Sequence, residues 1–77
     1  MKIQVRLFAN LRQYGPGGSD FFVLEIPQQA TVEQLVKILE IPPRAERVIL
    51  VNGRQAKAET RLADKDTVTM FPPMEGG

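Results

Sequence analysis

Residues 30–43 read Ala-Thr-Val-Glu-Gln-Leu-Val-Lys-Ile-Leu-Glu-Ile-Pro-Pro, the one stretch with a clear helical period. Thr31 followed by Gln34 fits a capping box, in which each side chain satisfies an orphan backbone N–H of the first turn. Val32, Leu35, Val36 and Leu39 fall at i, i+3, i+4 and i+7, one apolar stripe on a helix that must be buried against something. Glu33 and Lys37, four apart in the favoured order, belong on the wet side. Pro42-Pro43 lacks backbone donors and disfavours helical geometry in the residue before it, so a helix of about ten residues is expected to stop there.

The residues before this helix supply strands for it to cover. Ile3, Val5 and Leu7 alternate with Lys2, Gln4 and Arg6, the two-residue period of a half-buried strand over Lys2 to Phe8. Phe21 to Ile26 resumes strand character and is closed by Pro27. Gly15-Pro16-Gly17-Gly18 punctuates a loop between them, Asn10 to Tyr14 can hold one helical turn with Leu11 tucked inward, and an antiparallel hairpin is the simplest pairing. After the helix, Val48-Ile49-Leu50-Val51 is a continuous apolar run that reads as a strand buried on both sides. Asn52-Gly53 marks a type I′ hairpin into a short edge strand over residues 54–57. Asp64-Lys65-Asp66 is a polar turn, and Thr67 to Phe71 is a last strand with Val68 and Met70 on one face. The order is β-β-α-β-β-β, an α+β class with one sheet and one helix across it.

Length and composition agree with one small domain over residues 1–71 followed by a tail at 72–77. The chain has 77 residues, 43% hydrophobic and 25% charged, with ten Lys+Arg against nine Asp+Glu. A net charge of +1 spread along the chain is far from the basic excess of a nucleic-acid binder. There is no Cys and no His. A thiolate nucleophile, a disulfide frame and a soft metal site are therefore excluded, as is the usual general base near neutral pH. The first ten residues, MKIQVRLFAN, interrupt their apolar residues with charge and form no signal-peptide core. No window approaches the roughly 18 apolar residues of a membrane span. A cytoplasmic domain with no catalysis of its own, no metal and no stably bound cofactor is expected.

The last seven residues read Phe-Pro-Pro-Met-Glu-Gly-Gly. A frayed terminus is the ordinary reading of such a tail. Against it, Pro72-Pro73 makes a stiff, extended base, and at about 3 Å per residue the segment from Pro72 can project on the order of 18 Å. Gly76-Gly77 is a tip without side chains, suited to a narrow site in a partner. Its one reactive group is the Gly77 α-carboxylate, ionised at pH 7 given an ordinary pKa of about 3.3–3.7. A carboxylate can attack the α-phosphorus of ATP. Because Gly15-Pro16-Gly17-Gly18 lacks the Lys-Ser/Thr of a phosphate loop, a partner has to supply the ATP.

This chain resembles the MoaD/ThiS family of ubiquitin-like sulfur carriers, and within it the MoaD type. The matching residues are Leu7-Phe8-Ala9 with Leu11-Arg12, Ala30-Thr31-Val32 with Leu35, Val51-Asn52, Leu62 with Asp64, Asp66-Thr67-Val68, and Phe71-Pro72-Pro73 with Gly76-Gly77. The resemblance implies a β-grasp fold with a mixed sheet. It implies that Gly77 is adenylated by an E1-like adenylyltransferase of the MoeB/ThiF kind, which uses ATP. Gly77 then becomes a thiocarboxylate that donates sulfur, on a MoaE-like large subunit of molybdopterin synthase for the MoaD type. Gly76 would let the tail through, and Phe71, Pro72, Pro73 and Met74 would form the partner interface. Thiamine or tRNA thiolation, and conjugation to proteins through Gly77, are the alternatives. Three departures from the family pattern stand out: Glu75 beside the glycines, Lys65 at a turn position where Gly is common, and a stretch from Ile41 to Arg47 that is short for a MoaD.

Three surface features remain open at this level. Leu11 and Tyr14 either plug the end of the core or form a partner patch. Arg6, Arg54, Lys57 and Arg61 either gather on one face or are spread for solubility. Phe71 alternates with Val68 and Met70 and so is expected on the opposite, exposed face.

Overall fold

The alternation of Ile3, Val5 and Leu7 with polar residues becomes β1 (Lys2–Leu7) in the computed structural model, with those three side chains at most 1% exposed. The structure describes residues 1–73. β2 (Phe21–Glu25) pairs antiparallel to β1, with Leu24 opposite Ile3 and Phe22 opposite Val5 on the inner face. The connection holds two short 3-10 turns, Ala9–Tyr14 and Pro16–Gly18. Leu11 is fully buried and Tyr14 is half-buried against the core, so both plug its end. Gly15 is required by a close approach, because a Cβ there would stand 2.0 Å from the Ser19 carbonyl oxygen.

The helix α1 spans Val32–Ile38 and begins with the expected capping box: Gln34 N–H donates to Thr31 Oγ1 (3.3 Å) and Thr31 N–H donates to Gln34 Oε1 (2.8 Å). Val32, Leu35 and Val36 are buried. The helix has seven residues rather than the expected ten or so, and Pro42 is not what stops it. Glu40 adopts φ 59°, the Ile41 N–H donates to the Val36 carbonyl (3.1 Å) and the Glu40 N–H to the Lys37 carbonyl (3.0 Å). This pair of bonds is a Schellman ending, and Ile41 and Val36, both buried, make the apolar contact that accompanies it. Closing the core with Ile41 outweighs the strain of a non-glycine left-handed residue.

β3 (Val48–Val51), β4 (Arg54–Gln55) and β5 (Thr67–Phe71) complete a five-stranded sheet in the order β2-β1-β5-β3-β4. β1 and β5 are parallel and central, with Val5 opposite Val68 and Leu7 opposite Met70; the other pairs are antiparallel. The reading of β3 as buried on both sides is corrected. All four of its residues are half-buried, because α1 covers only one face: Ile49 and Val51 pack on the core, while Val48 and Leu50 pair with Phe71 and Thr69 on the other face. The edge strand is also shorter than residues 54–57, ending at Gln55.

Asn52 and Gly53 both have positive φ (53° and 83°), as a type I′ turn needs. Asn52 then reaches across to the last turn. Its amide donates to Asp66 Oδ1 (2.8 Å), its carbonyl oxygen accepts from Thr67 N–H (2.9 Å), and Asp66 Oδ2 accepts from Ala63 N–H (2.7 Å). Lys65, between these residues, has φ 73° while its N–H donates to the Lys2 carbonyl (2.7 Å). A non-glycine residue in that region costs about 1–2 kcal/mol, of which glycine's greater unfolded-state entropy returns about half. Lys65→Gly is therefore expected to stabilise the fold by about 0.5–1 kcal/mol, read as a rise of a few degrees in melting temperature.

Candidate functional site

The candidate site lies where β5 leaves the sheet. β5 is the central strand, and its last residue, Phe71, pairs with Val48. On the other side, the Phe8 N–H donates to the Met70 carbonyl (3.0 Å), so the strand is held on both sides up to its final residue. Pro72 then ends the ladder, since it has no N–H to donate and its ring fixes φ. The structure thus brings Phe71, Pro72 and Pro73 together at one end of the sheet, all three half-buried. Phe71 is on the face away from α1 as expected, but it is not fully exposed, because Val48 lies beside it. Met74, Gly76 and Gly77 lie outside the described residues.

The face around this exit is a sheet surface that α1 does not cover. Reading the register across it gives a row of Phe21, Arg6, Thr69, Leu50 and Gln55, with Phe71 and Val48 beyond it toward the exit. Val48 and Leu50 were not singled out from the sequence as surface residues. Their apolar run masked the alternation, and only the strand order assigns one face of β3 to solvent. The Arg6 guanidinium lies 5.3 Å from the centre of the Phe21 ring, a cation–π contact on this face. The four basic residues do not gather. Arg6 is on this face, whereas Arg54 pairs with Val51, whose side chain packs on the core side. A groove of about 450 Å³ runs between α1 and the β3–β4 edge, floored by Val32, Val36, Ile41, Ile49 and Ala56.

The chain has no Cys or His, and among the described residues no three acidic side chains come close enough to hold a metal ion. Nor is any helix among them long and apolar enough to cross a membrane. What the described residues do is carry the chain out of the sheet at Pro72-Pro73, from the end of its central strand and beside a surface of mixed apolar and polar side chains.

A mixed five-stranded sheet crossed by one helix, with the first and last strands side by side at its centre, is the ubiquitin-like β-grasp fold, shared with a ubiquitin from Caldiarchaeum subterraneum. The sequence model of the ThiS family matches residues 5–77, and the chain belongs to that family. It is similar to a putative molybdopterin converting factor subunit 1 from Pyrococcus furiosus, at 30% identity over 95% of this chain and 98% of that one, with a TM-score of 0.79. It is also similar to the small archaeal modifier protein 1 of Methanosarcina acetivorans, at 25% identity over 99% and 96% of the two chains and a TM-score of 0.71. A protein–protein complex of subunits 1 and 2 of the molybdopterin-converting factor of Helicobacter pylori shares the fold, at 24% identity, full coverage of both chains and a TM-score of 0.66. Among curated protein sequences nothing matches at a significant level. The chain is thus a small ubiquitin-like protein of the ThiS family.

Proposed function

We propose that this protein is a sulfur carrier for molybdopterin biosynthesis, working in the cytoplasm and charged at Gly77. In the first step the Gly77 carboxylate attacks the α-phosphorus of ATP in an E1-like partner. Pyrophosphate leaves and an acyl-adenylate remains. Hydrosulfide then attacks the acyl carbon, AMP leaves, and a thiocarboxylate is formed. Its sulfur is handed on in an acceptor enzyme that takes the Gly76-Gly77 tip. The protein itself supplies no catalytic side chain and no resident cofactor; ATP belongs to the activating partner. Phe71, Pro72, Pro73 and Met74 would dock on the acceptor.

The observation that carries this reading is a family match that runs through Gly77, joined to a proline-based exit from the central strand. The Pyrococcus likeness favours molybdopterin as the destination. The likeness to small archaeal modifier protein 1 favours a second use of the same adenylate, in which a lysine amine attacks in place of hydrosulfide. One experiment separates them. The purified chain is incubated with an E1-like enzyme, ATP and sulfide, then alkylated at thiols and weighed intact. Since the chain has no Cys, an alkylated thiol on it has to be acquired sulfur, and fragmentation is expected to place it on Gly77. No adduct with an enzyme proven on its own carrier would overturn the carrier reading. A lysine-linked adduct ending in Gly76-Gly77, left by trypsin as residues 66–77 because Lys65 is the last basic residue, found in a cell digest would establish the modifier.

A further inference from the structure

We propose that β2 is a self-association edge, through which two copies of this chain join antiparallel about a two-fold axis at Val23 into one continuous sheet. Among the described residues, β2 stands at the end of the strand order and pairs with β1 alone. Flanking bonds fix which of its main-chain groups are used: Leu7 N–H donates to the Asp20 carbonyl (2.9 Å), and Ile26 N–H donates to the Met1 carbonyl (2.8 Å). Because such pairs alternate in an antiparallel ladder, Asp20, Phe22, Leu24 and Ile26 turn toward β1. Phe21, Val23 and Glu25 then turn their N–H and C=O groups outward, along the free edge.

Those three residues make a self-complementary template. With a second copy antiparallel and Val23 opposite Val23, Phe21 faces Glu25 of the second copy and Glu25 faces its Phe21. All three are pairs of the type that exchanges both hydrogen bonds. A slip by two residues in either direction leaves one of the three without a strand partner. A slip by one would set outward groups against inward ones.

The side chains and charges point to a second copy rather than a foreign strand. On the sheet face away from α1, Val23 is 60% and Phe21 51% exposed. The strand carries no Lys or Pro to guard it, whereas the opposite edge is the two-residue Arg54–Gln55. Arg6 lies over Phe21, and Lys2 is opposite Glu25. At a strand spacing of about 4.8 Å, pairing creates the row Arg6, Phe21, then Glu25 and Lys2 of the second copy, with signs alternating across the join. The two-fold repeats the same row on the other side, as an isologous contact requires.

A ladder of this size is a small interface, so dissociation on the order of 0.1–1 mM is expected. Sedimentation of the full chain up to about 1 mM, with amide exchange followed by NMR, tests it. Concentration-dependent dimers are expected, with added protection at the Phe21, Val23 and Glu25 amides and none at Phe22 or Leu24. Val23→Lys, at an exposed position, should weaken association at least tenfold with the dilute melting temperature unchanged. Arg6→Glu should weaken it as well, and Arg6→Glu with Glu25→Arg should restore it. A chain that stays monomeric throughout, dimers indifferent to both substitutions, or protection on the wrong amides would overturn the proposal.

Discussion

A chain lacking Gly77 is expected to take up no sulfur from an E1-like enzyme, ATP and sulfide, while its melting temperature stays where it was. The first half follows from the proposed charging of Gly77, the second from the described fold. The loss is expected to be complete, not graded, because the chain has no Cys to take up sulfur and a carboxylate placed one residue earlier, on Gly76, leaves the tip one residue (about 3 Å) short of the reacting phosphorus. Displacements of even 1 Å can cost about a hundredfold in such reactions. The fold is expected to be indifferent because, among the described residues, the last in the sheet is Phe71 and the last in the buried core is Met70. Alkylation and intact mass read the first half, and thermal unfolding reads the second. Sulfur transfer that survives the deletion would remove Gly77 from the reaction.

Leu35→Ala is expected to have the largest effect on stability, about 3 kcal/mol, from lost burial and the cavity left behind. A domain of 77 residues holds only about 4–11 kcal/mol in all. The melting temperature should therefore fall on the order of 15–20 °C. Leu35 is fully buried in the face of α1 that lies on the sheet, and among the described residues α1 is the one α-helix that covers it. Ile38→Ala, on the same helix but 45% exposed, is the internal comparison and should cost under about 1 kcal/mol. Equal losses at the two positions would mean that the apolar stripe is not what binds the helix to the sheet.

The same contrast explains what could be read from the chain directly. Thr31 and Gln34 cap the helix in the way their spacing predicts, and Asn52-Gly53 turns the hairpin, because each feature depends on neighbours within four residues. Ile3, Val5, Leu7, Val68 and Met70 were legible as inward for a similar reason, since a two-residue alternation is local. The helix end was misplaced because it is set by a long-range need. Ile41 must reach the core, and Glu40 takes a left-handed conformation to bring it there before Pro42 has any effect. Val48 and Leu50 escaped notice because an uninterrupted apolar run looks alike whether one face is covered or two.

The sequence by itself determined the inventory: five strands, one capped helix, a chain without thiol or imidazole, and a Pro72-Pro73 exit ahead of two glycines. Tertiary structure decided the placement. It set β1 and β5 side by side at the centre of the sheet, so that the chain leaves the sheet at Phe71 from its central strand. It also left β2 at an edge and one sheet face open, with Phe21, Val23, Leu50 and Phe71 on it. Strand order follows from how all the apolar rows stack beneath a single helix, a property of the whole set of contacts that no window of sequence contains.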